Sequence, residues 1–309
     1  MSIIEKFLDK LDKHNKDFSE APGQTAGHGE EYNSDYYPAK QGITSKCTEV
    51  FEPQGIDKSL LNDSGPGDEL SGLINIDLDE LNMMGFITPE TRNIKLFEQF
   101  RYIKMQLLSN TLKKGASDSR KSNIIVITSA IAGEGKTYSS MNLALSIAYE
   151  YNNTVLYIDA DVSKQTATKL LKLDARRGLT DYLLEIQPDI SRLLLKTNLP
   201  KFRIMPAGKF HERTTELFAS KRMQSLMNEL SERYNDRLII IDSPPLLQDT
   251  SATALAQLAD QTVIVIEAEK TPKHIVEEAI RSVKTDKYIG LLFNKSNQRY
   301  GSGYSYYSY

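Results

Sequence analysis

Residues 124–140 of the chain, IIVITSAIAGEGKTYSS, place a glycine-rich turn between an apolar run and a helical pattern. The turn is a phosphate-binding loop (P-loop) that has Ala130 where such loops usually begin with glycine. Its glycines let the backbone bend until successive N–H groups face one phosphate. We expect Lys136 to contact the β- and γ-phosphates and Thr137 to bind Mg²⁺, beside the positive end of a helix. The predicted nucleotide-binding residues of this stretch are Ala132, Gly133, Glu134, Gly135, Lys136, Thr137 and Tyr138.

Acidic residues end two other apolar runs. Asp242 ends the run in RLIIIDSPP, and it is the candidate carboxylate that holds Mg²⁺ through water in a P-loop site. Asp159 and Asp161 end the run in VLYIDADVSK, where both carboxylates are expected to reach the ligand crevice of an open α/β sheet. One of this pair is expected to assist Mg²⁺ coordination and the other to accept a proton from an attacking hydroxyl, and the sequence leaves open which does which. We assign Thr137, Asp159 and Asp242 to the metal, and Lys136, Asp159, Asp161 and Asp242 to catalysis.

Apolar runs alternate with helical patterns through the rest of this part of the chain. The predicted strands cover residues 124–128, 155–158, 202–205, 238–241, 263–266 and 289–293. Their residues are continuously apolar, which is typical of parallel strands that are covered on both faces. The pattern therefore predicts an α/β P-loop fold, with a mostly parallel sheet flanked by helices.

Composition divides the chain into three regions. Residues 1–88 are predicted to be an amphipathic helix at the N-terminus and a polar linker, largely disordered, although residues 70–84 regain apolar side chains that could pack on the core. The helix has its apolar side chains at three-to-four spacing. The sequence leaves open whether this apolar face docks on the rest of the protein, on a partner or on a membrane. Residues 89–295 are the P-loop domain. Residues 296–309 contain Gly, Ser and Tyr without aliphatic side chains, and are predicted to be a flexible tail.

Charge and composition exclude several classes of protein. The net charge of −3 and the pI of about 5.9 give no basic footprint for nucleic acid. The single cysteine, Cys47, excludes an intrachain disulfide and is typical of a reducing compartment. The sequence has neither a run of roughly 18 apolar residues nor a secretory leader, so we expect a cytoplasmic protein.

The motifs AGEGKT, YIDAD and LIIIDSPP, in that order, resemble those of the bacterial tyrosine kinases (BY-kinases). These autokinases have a P-loop fold related to the MinD/ParA ATPases. Residues 205–230 and the IGLLFNK stretch at residues 289–295 are similar to family sequences as well. The resemblance spans residues 89–309 and implies ATP and Mg²⁺ as cofactors, with Asn294 at the adenine. The family often has an arginine two residues beyond its second aspartate, whereas Ser163 and then Lys164 stand here.

Two further family features are present. Glu98, Arg101 and Lys104 match a charged pattern that mediates ring-like self-association in the family, and their spacing of three predicts one shared helix face. The family also ends in a cluster of tyrosines that is its autophosphorylation target. The matching residues are Tyr300, Tyr304, Tyr306, Tyr307 and Tyr309. The resemblance implies a membrane polysaccharide chain-length regulator as activating adaptor, a cognate tyrosine phosphatase, and a place at the inner face of the membrane through that adaptor.

The main alternative is a MinD/ParA-like ATPase switch acting in positioning or partitioning. Such ATPases typically have a second lysine early in the P-loop, where Ile131 stands here. That class has no need for five tyrosines in the last ten residues either. The sequence therefore favours a tyrosine autokinase that phosphorylates its own tail, between subunits, and regulates exopolysaccharide polymerisation and export.

Overall fold

The computed structural model describes residues 73–91, 93–113, 123–150, 153–174, 176–234, 236–283 and 287–296. All of these belong to one compact unit. The predicted N-terminal helix, the linker up to residue 72 and the tyrosines of the tail, Tyr300, Tyr304, Tyr306, Tyr307 and Tyr309, lie outside the described residues.

A seven-stranded sheet forms the centre of the fold. In chain order its strands are β1 (Ile124–Ser129), β2 (Thr154–Asp159), β3 (Leu195–Lys196), β4 (Phe202–Met205), β5 (Arg237–Asp242), β6 (Gln261–Glu267) and β7 (Tyr288–Asn294). They lie in the order β3-β4-β2-β5-β1-β6-β7, and all neighbours are parallel except β3 and β4. The predicted mostly parallel sheet is confirmed. The edge strand β3 was not predicted, because its two residues are too few to form a recognisable strand pattern in the sequence.

Helices cover both faces of the sheet. In chain order they are α1 (Leu78–Met83), α2 (Ile94–Lys113), α3 (Lys136–Ala148), α4 (Thr166–Leu170), α5 (Leu179–Leu183), α6 (Thr214–Phe218), α7 (Lys221–Arg233), α8 (Thr250–Leu258) and α9 (Lys273–Ser282). Ile125 and Ile127 of β1 pack in the core that includes α3, whereas Ile124 and Val126 pack with α7 on the other face. Successive side chains of a strand point to opposite faces, so burial of both faces explains the continuous apolar runs.

The sheet order brings the predicted site residues together. β5 lies between β1 and β2, and Asp159 is in register with Asp242. The P-loop follows β1 directly, so both acidic strand ends lie beside it. This edge of the sheet is where ligands bind in open α/β folds.

Residues 73–88 correct the predicted boundary of the P-loop domain. Ile74, Ile76, Leu81, Phe86 and Ile87 are buried in the same core as α3. The segment is also tied by its backbone, since the Ile74 N–H donates to the Lys196 carbonyl at 2.8 Å and the Ile87 N–H donates to Asn142 Oδ1 at 2.7 Å. These residues therefore belong to the domain and not to a disordered linker. Their only helix, α1, has six residues, which is too short for a helical period to stand out in the sequence.

None of the described helices is both long and apolar enough to cross a membrane.

Candidate active site

The P-loop backbone has the shape that phosphate binding requires. Gly133 and Gly135 adopt left-handed conformations, with φ of +91° and +92°, and α3 begins at Lys136. The six N–H groups from Gly133 to Tyr138 donate hydrogen bonds to no other described residue. Consecutive N–H groups of this kind at the start of a helix form an anion-binding cradle. The two glycines therefore give the backbone the conformation that the predicted phosphate-binding role requires.

Two predicted loop residues use their side chains to hold the loop in place. The buried carboxylate of Glu134 accepts hydrogen bonds from the Ile131 N–H at 2.8 Å and from Thr271 Oγ1 at 2.5 Å. The Tyr138 hydroxyl donates to the Gly85 carbonyl at 2.9 Å. The polar side-chain groups of Glu134 and Tyr138 are therefore engaged within the protein. These two residues can contribute to nucleotide binding through their backbone N–H groups. The Ala132 N–H differs from them, because it donates to Gln248 Oε1 at 3.0 Å.

Lys136 and Thr137 contact the acidic strand ends. Lys136 Nζ forms a buried ion pair with Asp161 Oδ2 at 2.5 Å. Thr137 Oγ1 donates to Asp242 Oδ2 at 2.6 Å. Burial lowers the pKa of Lys136, but the negative charges of Asp242 and Asp161 outweigh it, so the net pKa lies above the ordinary value for lysine. The ammonium is therefore charged at any physiological pH.

Asp159 supports the turn that follows β2. Its Oδ1 accepts from the Asp161 N–H at 3.1 Å, and its Oδ2 accepts from the N–H and the hydroxyl of Thr168 at 2.8 and 2.7 Å. Burial and the negative charge of Asp242 raise the pKa of Asp159 to about 7, against the opposing effect of the Thr168 hydrogen bonds. Both oxygens thus have protein donors, and its metal role stays a prediction.

Asp242 and Thr137 offer a pair of oxygens that suits Mg²⁺. Asp242 Oδ1 is buried and accepts no hydrogen bond from a described residue. A carboxylate and a hydroxyl are hard oxygen donors of the type that Mg²⁺ prefers, and Mg²⁺ in nucleotide sites takes few protein ligands beside water and phosphates. No three Asp, Glu, His or Cys side chains converge as a metal cage within the described parts of the chain. Burial also raises the pKa of Asp242 above its usual value.

Asn294 lies against the P-loop, and so does Lys295, which was not predicted from the sequence as a site residue. Asn294 Nδ2 donates to the Glu134 carbonyl at 2.8 Å, and Lys295 Nζ donates to the Gly133 carbonyl at 2.7 Å. The role of Asn294 at adenine remains a prediction. The only sequence signal for Lys295 is its place directly after the last strand, in the IGLLFNK stretch.

The three charges predicted for self-association do not share one face. Glu98 and Arg101 are exposed on α2 and pair with each other at 3.3 Å. Lys104 is buried, and its ammonium pairs with Glu150. The three residues therefore do not share one exposed face, and their role in self-association stays a prediction. Each spacing of three residues turns about 300° around a helix, so that Lys104 lies roughly 120° away from Glu98.

The chain matches known proteins along most of its length. A family model described as an AAA domain matches residues 122–289. Tyrosine-protein kinase YwqD of Bacillus subtilis is 31% identical over 228 residues, which cover 73% of this chain and 91% of the relative. This chain belongs to the bacterial tyrosine-protein kinases.

Other comparisons agree with this family. Tyrosine-protein kinase CpsD of Streptococcus agalactiae is 31% identical over 193 residues, which cover 61% of this chain and 82% of the relative. The solved kinase domain of Escherichia coli tyrosine kinase ETK aligns with a TM-score of 0.57 over 67% of this chain and 80% of that chain. At 23% identity this alignment shows the shared fold. The resemblance to BY-kinases and the assignment as a protein-tyrosine kinase are therefore confirmed.

The raised pKa of Asp159 predicts how the stability of this kinase changes with pH. An unfolded aspartate titrates near pH ~3.9, so between that value and about 7 the folded chain binds the proton more tightly. We expect metal-free stability to fall as the pH rises through this window, and Mg²⁺ to bind more tightly at its upper end because it competes with the proton. Urea unfolding across the window, with and without Mg²⁺, measures both effects. Asp159→Asn is the reference, and an equal slope in that variant would contradict the assignment.

Proposed function

We propose that this kinase transfers the γ-phosphoryl group of ATP to the tyrosines of its own C-terminal tail. The observation that supports it most directly is the pair of buried contacts below the N–H cradle, Lys136 with Asp161 and Thr137 with Asp242. These contacts place one cation, one hydroxyl and two carboxylates beside the P-loop. The relatives of this chain are themselves named tyrosine-protein kinases. The tail supplies the acceptor, since Tyr300, Tyr304, Tyr306, Tyr307 and Tyr309 are five of the last ten residues.

The Lys136–Asp161 pair suggests how nucleotide binding prepares the proton acceptor. A charged lysine that turns from Asp161 to the phosphates would leave that carboxylate without its cation. Asp161 would then accept the proton of a tyrosine hydroxyl while the tyrosine oxygen bonds to the γ-phosphorus and the bond to the β-phosphate oxygen breaks, releasing ADP. Asp159 suits this role less well, because both of its oxygens hold the turn after β2.

Thr137 and Asp242 would hold Mg²⁺ in this scheme. When bound, the ion supplies positive charge to the phosphate oxygens. Thr137 contributes its hydroxyl, and Asp242 contributes the carboxylate oxygen that no described residue donates to. The N–H cradle and Lys136 orient the phosphates against this pair.

We propose that phosphorylation takes place between subunits of a ring-like oligomer. Glu98 and Arg101 remain exposed candidates for that contact, whereas Lys104 is engaged with Glu150. From residue 294 an extended chain reaches roughly 50 Å to residue 309, a length that by itself allows transfer within one subunit as well as between subunits, so the between-subunit reading rests on the family resemblance. Each phosphate adds nearly two negative charges, so successive phosphorylation is expected to loosen the ring by repulsion between tails.

The cellular role follows from the family resemblance. We propose that the kinase regulates exopolysaccharide polymerisation and export at the inner face of the membrane. A membrane chain-length regulator would act as its activating adaptor, and a cognate tyrosine phosphatase would reverse the modification.

A chain that ends at residue 299 tests the acceptor. With labelled ATP and Mg²⁺ it is expected to lose nearly all phosphotyrosine and to keep nucleotide binding, because the P-loop and both acidic strand ends are unchanged. Substituting phenylalanine for the five tail tyrosines is the matched control that keeps the tail length. Phosphotyrosine that persists in both variants would place the acceptor elsewhere.

A mixing experiment separates transfer within a subunit from transfer between subunits. The chain that ends at residue 299 is an active donor without acceptors, and Lys136→Met keeps the tail without donor activity. Phosphotyrosine on the Lys136→Met chain, only after mixing, is the expected result. ATP hydrolysis by the wild type without any phosphotyrosine would favour the ATPase switch of the MinD/ParA kind instead.

A further inference from the structure

The carboxyl ends of β6 and β7 hold the back of the P-loop. Asn294 and Lys295, the consecutive residues at the end of β7, donate to the carbonyls of the consecutive residues Glu134 and Gly133, at 2.8 and 2.7 Å. Glu267, at the end of β6, completes the ring, since its Oε2 pairs with Lys295 Nζ at 3.1 Å and its N–H donates to Glu134 Oε1 at 3.2 Å. We call these four contacts the P-loop clasp.

The clasp acts on the groups that face a phosphate. In a planar trans peptide the C=O and the following N–H point in opposite directions. A Gly133 carbonyl held by Lys295 therefore turns the Glu134 N–H the other way, and a Glu134 carbonyl held by Asn294 does the same for the Gly135 N–H. Both of these N–H groups belong to the cradle and donate to no other described residue. The side chains of Asn294 and Lys295 thus set the direction of two phosphate donors.

Backbone geometry shows that the clasp is closely fitted. Lys295 has a φ of +58°, a left-handed conformation that lysine adopts at a cost. A Cβ atom at Gly135 would collide with Asn294 Nδ2, so a side chain there would displace Asn294. Strain of this kind persists where the surrounding contacts demand it, and it is concentrated at functional sites.

We propose that Lys295 is a positioning residue of the kinase, which orients the P-loop N–H groups for the nucleotide phosphates from the last residue before the predicted C-terminal tail. This proposal rests on nucleotide binding at the P-loop. Lys295 acts through the Gly133 carbonyl, so its loss weakens binding in the ground state and the transition state alike. That effect raises KM and leaves kcat nearly unchanged.

Four variants test the proposal in the full chain. Lys295→Met removes the donor, and Lys295→Arg keeps one. Lys295→Asn removes the donor and relieves the left-handed backbone, because asparagine tolerates positive φ. Lys270→Met is the matched control, since Lys270 also pairs with Glu267, at 3.1 Å, is largely exposed and forms no hydrogen bond or ion pair with a described residue of the P-loop. The measurements are the Kd of a fluorescent ATP analogue, KM and kcat for ATP, and the melting temperature.

We expect Lys295→Met and Lys295→Asn to raise Kd and KM about tenfold, the loss typical of a hydrogen bond from a charged donor, with kcat within about twofold. Lys295→Arg and Lys270→Met should stay near the wild type, and Lys295→Asn should melt no lower than the wild type. Wild-type affinity in Lys295→Met, or equal weakening by Lys270→Met, overturns the clasp. A wild-type chain that fails to bind the analogue overturns the nucleotide site and the proposed function with it.

Discussion

Lys136→Met is expected to reduce phosphotyrosine formation at least a hundredfold. Lys136 is the one charged side chain of the P-loop aimed at the acidic strand ends, and losing a single preorganised donor to a reacting group costs ~10²–10³ in rate. The substitution also leaves Asp161 as a buried carboxylate without its cation, and breaking a buried pair from one side costs about 3–5 kcal/mol of stability. Inactivity of this variant alone would therefore not distinguish the loss of a catalytic side chain from partial unfolding of the protein.

The double variant Lys136→Met/Asp161→Asn separates the two effects. Removing both charges relieves the unpaired carboxylate, so the free energy of unfolding should return most of the way to the wild-type value. Phosphotyrosine should stay at the level of Lys136→Met, because neither the cation nor the proposed proton acceptor is present. Urea unfolding and labelled ATP measure the two quantities, with Lys221→Met as a control at an exposed lysine of α7. Activity above a tenth of wild type in a folded Lys136→Met chain would remove Lys136 from the mechanism.

Local patterns in the sequence were sufficient to predict the sheet and the candidate site. Gly133 and Gly135 signal left-handed backbone, and Asp242 follows an apolar run that must end at two prolines. Parallel strands bring their carboxyl ends to one edge, so the meeting of Thr137 with Asp242 follows from the fold class. These features need no knowledge of which helix packs where.

Contacts between distant parts of the chain were beyond that reasoning. Lys104 lies between Phe100 and Leu107 on the buried face of its helix, and its charge is paired there with Glu150, 46 residues further on, a partner that no local pattern reveals. Asp159 was predicted as a metal ligand because its strand end faces the crevice, yet Thr168 supplies two donors to one of its oxygens. The same limit applies to Lys295, whose acceptor lies 162 residues away in the chain. A side chain's partners are set by tertiary packing, which a local pattern does not contain.

The segment of residues 73–88 is expected to be essential for folding. A chain that starts at residue 89, the boundary predicted from the sequence, exposes the part of the core that Ile74, Leu81, Phe86 and Ile87 cover. It also removes the carbonyl of Gly85 from Tyr138 and the N–H of Ile87 from Asn142, on the helix that begins at the P-loop. We expect this chain to aggregate or to melt far below a chain that starts at residue 73, and to bind nucleotide weakly.

Point variants in the full chain measure how much single side chains of this segment contribute to stability. Ile87 is fully buried, and Ile87→Ala should lower the free energy of unfolding by about 2–5 kcal/mol, the range found for large-to-small changes in a packed core. Met83→Ala is the matched control, because Met83 lies in the same segment with 82% of its surface exposed and should change stability by less than about 0.5 kcal/mol. Urea unfolding followed by circular dichroism measures both. Equal stability of Ile87→Ala and Met83→Ala would mean that the segment does not pack as described.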